Sequence, residues 1–140
     1  RGSDRDLLAR ALNKADGKKG HSSKPRRAPL ILAVVADLSS KKIPAWEQEA
    51  VASGVAHMLS LALDEAGFGV FWRTDDHTRS KTVAKAHGLR DGEVLMGWLY
   101  VGGKPLRARP ARRKSVDAAR HLSPFPSRER KKSKSEEAHL

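Results

Sequence analysis

The stretch IPAWEQEAVASGVAHMLSLALDEAG, residues 43–67, constrains the fold more than any other part of the chain. Pro44 near its start, Glu47 and Glu49 in its first turns and Gly67 at its end bracket a helix of about 20 residues. Val51, Val55, Met58, Leu59, Ala62, Leu63 and Ala66 follow the helical period, but Ala52, Ala56 and Leu61 widen the apolar stripe well beyond one face. Small residues at Ala50, Ala52, Ser53, Gly54 and Ala56 let another backbone approach closely. A helix apolar around so much of its circumference needs cover on most sides, as a central helix or at a subunit interface.

Strand patterns flank it. APLILAVVAD, 28–37, is a continuous aliphatic run closed by DLSSKK and reads as a strand buried on both faces. FGVFW, 68–72, is a second strand, TRSKTVAKAHG, 78–88, a short helix ending at Gly88, and EVLMGWLYVGG, 93–103, a third strand. The order is strand, long helix, strand, short helix, strand. A doubly wound sheet would carry a glycine loop between a strand and the following helix to cradle phosphate, whereas GFG here precedes its strand and reads as a tight turn.

The 140 residues allow one domain, and at 39% hydrophobic and 31% charged some of the length is expected to stay unpacked. The net charge of +12 sits on the flanks. Residues 1–27 carry nine Lys/Arg against three Asp, and 104–140 carry twelve against four acids, while 28–103 sums to −2. A basic face tracking a phosphate backbone is therefore not indicated, and KADGKKGHSSKPRR and SRERKKSKSEEAHL read as solvated segments. With no cysteine and no apolar run near the roughly 18 residues of a membrane helix, the expectation is a soluble, cytoplasmic protein without disulfides or thiolate metal sites.

The inventory of catalytic groups is thin. Histidines 21, 57, 77, 87, 121 and 139 include no pair at helical ligand spacing, so no metal site is expected. His57 reads as a partly buried structural histidine. No serine occupies a nucleophile elbow, and Asp75 and Asp76 read as caps of the helix that begins near Thr78. Such a chain catalyses nothing or leaves the chemistry to a cofactor, and no catalytic residue is assigned.

The succession RAPLILAVVAD, then PAWEQE before the long helix, GFGVFWR after it and GWLYVGG in the last strand, resembles the carboxyl-terminal half of the nitroreductase family of flavoproteins, in particular its small bacterial YdjA type. The resemblance spans about residues 26–105 and divides the chain into a basic, partly disordered segment 1–27, a nitroreductase-like domain 28–105 and a basic extension 106–140 with a disordered end. It implies an α+β flavin-binding fold, here partial, with the long helix packed on a small, mainly antiparallel sheet. It also implies a homodimer with FMN at its interface, and hydride transfer from NADH or NADPH through FMN to nitro or quinone-like acceptors.

On the same resemblance Trp72, Arg73 and Thr74 align with flavin-contacting residues, and Ala62, Leu63, Asp64, Glu65, Ala66 and Gly67 with the stretch associated with the nicotinamide cofactor. The family's R-x-S-x-R segment, which grips the FMN phosphate, has no counterpart: RGSDRDLLARAL resembles at best the helix that precedes the first family strand, RGSDR echoes the phosphate motif only superficially, and no phosphate ligand is assigned to Arg1, Ser3 or Arg5. A fragment of a longer product and a degenerate family member both fit that departure. LSPF, 122–125, resembles the terminal extension that wraps across the partner in these dimers. Two further readings stay open: a non-catalytic dimeric binding protein of the same fold, and a basic-tailed protein associated with nucleic acid.

Overall fold

The computed structural model describes residues 2–106 and 114–124. The elements are helix α1 (Ser3–Ala15), strand β1 (Leu30–Asp37), helix α2 (Ala45–Glu65), strand β2 (Phe68–Arg73), helix α3 (Lys81–Ala86) and strand β3 (Glu93–Gly103), with single 3-10 turns at Lys24–Arg26 and Asp76–Arg79. Two compact units divide the chain, Arg1–Ala108 and Arg109–Leu140. In the described part of the second, a 3-10 turn at Ala118–His121 is opened by Asp117, whose carboxylate accepts from the N–H of Ala119 at 3.1 Å. Residues 125–140, with the expected solvated tail and the end of LSPF, lie outside the described residues.

The sheet has three antiparallel strands in the order β1-β3-β2, so the last strand of the chain is central. Val34 pairs with Gly97 and Val35 with Leu95, leaving Met96 without a partner as a β-bulge. That extra residue resets the alternation of β3. Leu95, Trp98 and Tyr100 consequently share one face and form the core with Leu8, Ala11 and Leu12 of α1 and Val83 of α3. Each fully buried aliphatic side chain there contributes about 1.5–3 kcal/mol. Gly97, at φ +135°, is where the backbone turns through the bulge.

On the opposite face α2 lies across all three strands. Its start is set by Pro44, whose carbonyl accepts from the N–H of Glu47 at 3.0 Å, and by Gln48, whose amide reaches back to the carbonyls of Ser40 (3.2 Å) and Ile43 (2.7 Å). Gly67, at φ +90°, ends it in a conformation that glycine adopts without a steric cost. The α+β class and the small antiparallel sheet under a long helix agree with the expectation from sequence.

Several details differ. Of α2, Ala56 alone is buried among the described residues, while Val51, Val55 and Met58 are 62–68% exposed, because the sheet covers only one side of a helix that is apolar on several. β1 is an edge strand with Leu30 and Val35 exposed, not a strand buried on both faces. Residues 78–88 do not form one helix: Ser80, with ψ 125°, breaks it into the 3-10 turn and α3. His57 is exposed on α2 rather than partly buried. Within 1–27, Ser3–Ala15 forms α1 and places Leu8, Ala9, Ala11 and Leu12 in the core, since its charges line the outer side of an amphipathic helix.

Candidate functional site

β2 begins where the cap of α2 ends and finishes one residue later than the sequence suggests, at Arg73. Along it side chains alternate between faces. Trp72, opposite Leu99, lies on the α2 side; Arg73, opposite Trp98, lies on the α1 side, with its guanidinium carbon 5.7 Å from the Tyr100 ring centre. Thr74 follows on the exposed connection. The three residues assigned to the flavin thus share a backbone segment while presenting their side chains in different directions.

Trp72 Nε1 is buried and has no hydrogen-bond partner among the described residues. The indole rests against the bulge: a Cβ on Gly97 would stand 2.6 Å from Trp72 Nε1 and 2.5 Å from the Arg73 carbonyl oxygen. An unsatisfied buried donor costs about 1–3 kcal/mol, which a bound acceptor recovers. Arg73 has no carboxylate partner among the described residues. Burial raises the Tyr100 hydroxyl above its ordinary range, with the Arg73, Arg27 and Arg5 cations acting in the opposite direction. The end of β2 therefore offers a free cation, a buried N–H and an exposed hydroxyl.

The connection after Thr74 is held tightly. Asp75 caps the 3-10 turn, its carboxylate accepting from the N–H of His77 at 3.0 Å and its carbonyl from Thr78 Oγ1 at 2.9 Å. The capping role expected for Asp75 is therefore present. The His77 ring lies between two acids, Nδ1 2.7 Å from Asp75 Oδ1 and Nε2 2.6 Å from Asp16 Oδ1 at the end of α1. The His77 hydrogen bond holds the Asp16 carboxyl below the usual carboxylate range. Partial burial pushes Asp75 up, but the His77 ring and amide and the Lys24 ammonium outweigh it, and the net displacement is downward.

The other predicted group, Ala62–Gly67, forms the last turn and cap of α2 at the opposite end of β2. Its Asp64 is not a free acid: Lys104 Nζ pairs with the carboxylate at 2.8 Å and donates to the Asp64 carbonyl at 2.9 Å. Four residues of β2, Phe68 to Phe71, separate this group from Trp72–Thr74, about 17 Å at strand rise. One protomer does not bring the two groups together.

A cleft of about 430 Å³ between α1, the start of β1 and α3 is lined by Arg5, Leu7, Leu8, Ile31, His87 and Trp98. Trp98 Nε1 donates to His87 Nε2 at 2.9 Å, and burial displaces the His87 titration downward, so the ring is held neutral with its proton on Nδ1. Among the described residues no group of three or more His, Cys, Asp or Glu is placed to hold a metal ion. His77, Asp16, Gly97 and Tyr100 are the members of these arrangements that the sequence did not reveal. Asp16 and His77 are 61 residues apart, and no local pattern links them.

The fold can be compared with a solved structure, a nitroreductase-like family protein from Bacillus cereus, at a TM-score of 0.69 and 16% identity, over 89% of this chain and 70% of that one. Among curated proteins, "Putative NAD(P)H nitroreductase YdjA" from Escherichia coli strain K12 is 40% identical over 85 residues, which is 60% of this chain and 46% of that protein. Its counterpart from Escherichia coli O157:H7 matches equally. The chain spans about half the length of these curated relatives, 46% in each case. The model of the family described as "Nitroreductase family" matches residues 3–103, which takes in α1, the whole sheet, α2 and both groups of predicted site residues. From the start of α1 to the last strand, then, the fold and its β2 strand end are those of the nitroreductase family, and the chain belongs to it.

Proposed function

We propose that the chain is the flavin-edge part of an FMN-dependent oxidoreductase of the nitroreductase type, which passes hydride from NADH or NADPH to nitro or quinone-like acceptors, as a homodimer in the cytoplasm. The family match over residues 3–103 carries this reading. The chemistry at the end of β2 fits the ring portion of the cofactor. FMN, when bound, supplies a hydride-accepting ring that gathers negative charge on reduction. Arg73, without a carboxylate partner among the described residues, is a fixed cation for that charge on the α1 side, and Thr74 adds an exposed hydroxyl; Trp72, buried on the other face against Gly97, holds the segment in place from behind.

Two features support a homodimer. The outer surface of α2 carries Trp46, Val51, Val55 and Met58 at 62–69% exposure, an apolar strip that a second subunit would cover. The separation of Ala62–Gly67 from Trp72–Thr74 along β2 is a second, consistent with sites shared between subunits. In this reading Ala62–Gly67 contacts the nicotinamide cofactor, with Lys104 neutralising Asp64 and reducing repulsion toward an anionic dinucleotide.

The test is FMN titration of the purified chain, followed by NADH and NADPH oxidation with a nitroaromatic and a quinone. Saturable binding with quenching of flavin fluorescence, weakened in Arg73→Ala without loss of fold, is the expected result. A folded dimer that binds no FMN would overturn the reading in favour of a non-catalytic binding protein of this fold.

A further inference from the structure

The connection that leaves the Trp72–Thr74 segment is fastened to three other elements, and all three fastenings pass through one short turn. Arg79 Nη2 reaches Glu49 Oε2 on α2 at 3.1 Å. Lys24 Nζ, on the turn before β1, lies 3.5 Å from Asp75 Oδ2. The His77 ring spans from Asp75 to Asp16 at the end of α1, with its side chain only 12% exposed. The first two are outlying charge pairs of modest worth. The third differs in kind, because a carboxylate oxygen faces each ring nitrogen, at 2.7 and 2.6 Å, and the doubly protonated ring donates to both.

We propose that His77 is a positioning residue: as the doubly protonated ring it clasps Asp75 to Asp16, and so fixes the end of β2 and the Trp72–Thr74 segment against the end of α1. A neutral imidazole has one N–H. It can serve only one of the two acids and turns a lone pair toward the other, so loss of the ring's second proton opens one side of the clasp. The charged groups facing it are Asp75 and Asp16, Lys24 and Lys18 behind them, with Lys18 Nζ 3.5 Å from Asp16 Oδ2, and Asp76 in the same cleft. The acids set a lower limit. Asp16 and Asp75 titrate below the usual carboxylate range, so their share of the clasp is present above it and is lost as pH falls through their lowered values. The ring's share needs both of its N–H groups and is lost with the second proton. The clasp is therefore closed while both acids are ionised and the ring carries both protons.

Only the consequence for flavin rests on the function proposed above; the clasp is read without any cofactor. Nitrogen-15 NMR of the wild-type ring at about pH 6 is expected to show protons on both nitrogens, and amide exchange at His77 and Thr78, corrected for intrinsic chemistry, to accelerate at least about fivefold by pH 8.5. In Asp16→Ala, which leaves the Asp75 cap in place, those amides are expected to exchange faster at pH 6 and to lose most of that pH dependence. A wild-type ring with a single N–H at pH 6 overturns the proposal, and needs no variant to fold. So does unchanged exchange in Asp16→Ala. FMN affinity that falls in Asp16→Ala at pH 6, but matches wild type at pH 8.5, supports positioning of the flavin segment; equal affinity at both pH values overturns that role. Wild-type protein that shows the clasp but binds no FMN overturns the flavin reading and supports the clasp as a purely conformational device.

Discussion

Replacing Gly97 by alanine tests whether the bulge in β3 is what seats the end of β2. The residue sits at φ +135°, a conformation that costs an L-residue about 1–3 kcal/mol. The new Cβ would stand 2.5 Å from the Arg73 carbonyl oxygen and 2.6 Å from Trp72 Nε1. A flexible side-chain tip could swing away from such a contact, but a strand carbonyl moves only with its ladder. Overpacking of this kind adds about 1–3 kcal/mol, so the expected loss is about 3 kcal/mol in all. For a domain near 100 residues that is a fall of about 12 °C or more in Tm. The assay is urea and thermal unfolding followed by the combined fluorescence of Trp46, Trp72 and Trp98. Gly103→Ala is the control: nothing lies within 4 Å of its added Cβ, and its stability is expected within about 0.5 kcal/mol of wild type. If Gly97→Ala also falls within about 1 kcal/mol, β3 relaxes freely at the bulge and the argument for a rigid seat fails.

Val55→Asp, on the exposed strip of α2, is expected to shift sedimentation from dimer toward monomer while keeping helical circular dichroism; an unchanged dimer would place the interface elsewhere. Asp75→Asn should flatten the acid side of the stability profile: a carboxyl lowered in the folded state favours folding above its unfolded value, and that contribution vanishes as pH falls through the folded value, whereas asparagine has no such contribution to lose. A slope of unfolding free energy against pH identical to wild type below about pH 5 would refute it. Arg73→Lys is expected to retain part of any FMN affinity that Arg73→Ala loses, since the charge survives but the planar fork over Tyr100 does not; full retention would make the geometry irrelevant.

What the sequence revealed and what it hid divide along physical lines. β3 was read at its observed bounds because Glu93–Gly103 is a continuous run between a turn and a lysine, and α2 because Pro44 and Gly67 mark its ends locally. Whether the sheet or a second subunit covers its remaining apolar sides was not legible, because pattern reports how much surface needs cover, not which chain supplies it. α1 was legible only through the resemblance of RGSDRDLLARAL to a helix before the first family strand, and the spacing of Leu8, Ala11 and Leu12, which is the part that packs, stood beside nine basic residues in 1–27. At the site, Asp75 was recognisable as a cap since capping is a neighbour-to-neighbour interaction. The partner of His77 was not, because Asp16 arrives through tertiary packing alone. Nor does a lone glycine in EVLMGWLYVGG announce a bulge that moves Trp98 and Tyr100 to the face of Leu95.

The unpaired Met96 also governs where this chain tolerates a change of length. A residue inserted between Gly97 and Trp98 would reverse the inside and outside of everything beyond it, sending Trp98 and Tyr100 toward α2 and Leu99 and Val101 toward α1, whereas loss of Met96 would leave a regular ladder with Leu95 and Trp98 still on one face. No local repair absorbs that reversal, because β3 is paired on both sides. Insertions are accommodated instead between β1 and α2 or between α3 and β3, where residues 38–44 and 88–92 are turns and connections. Natural relatives should therefore vary in length at those two connections and keep the spacing from Gly97 to Gly103 fixed, and a library of single-residue insertions scored for folded protein would show permissive windows at those connections and none beyond Gly97 in the central strand.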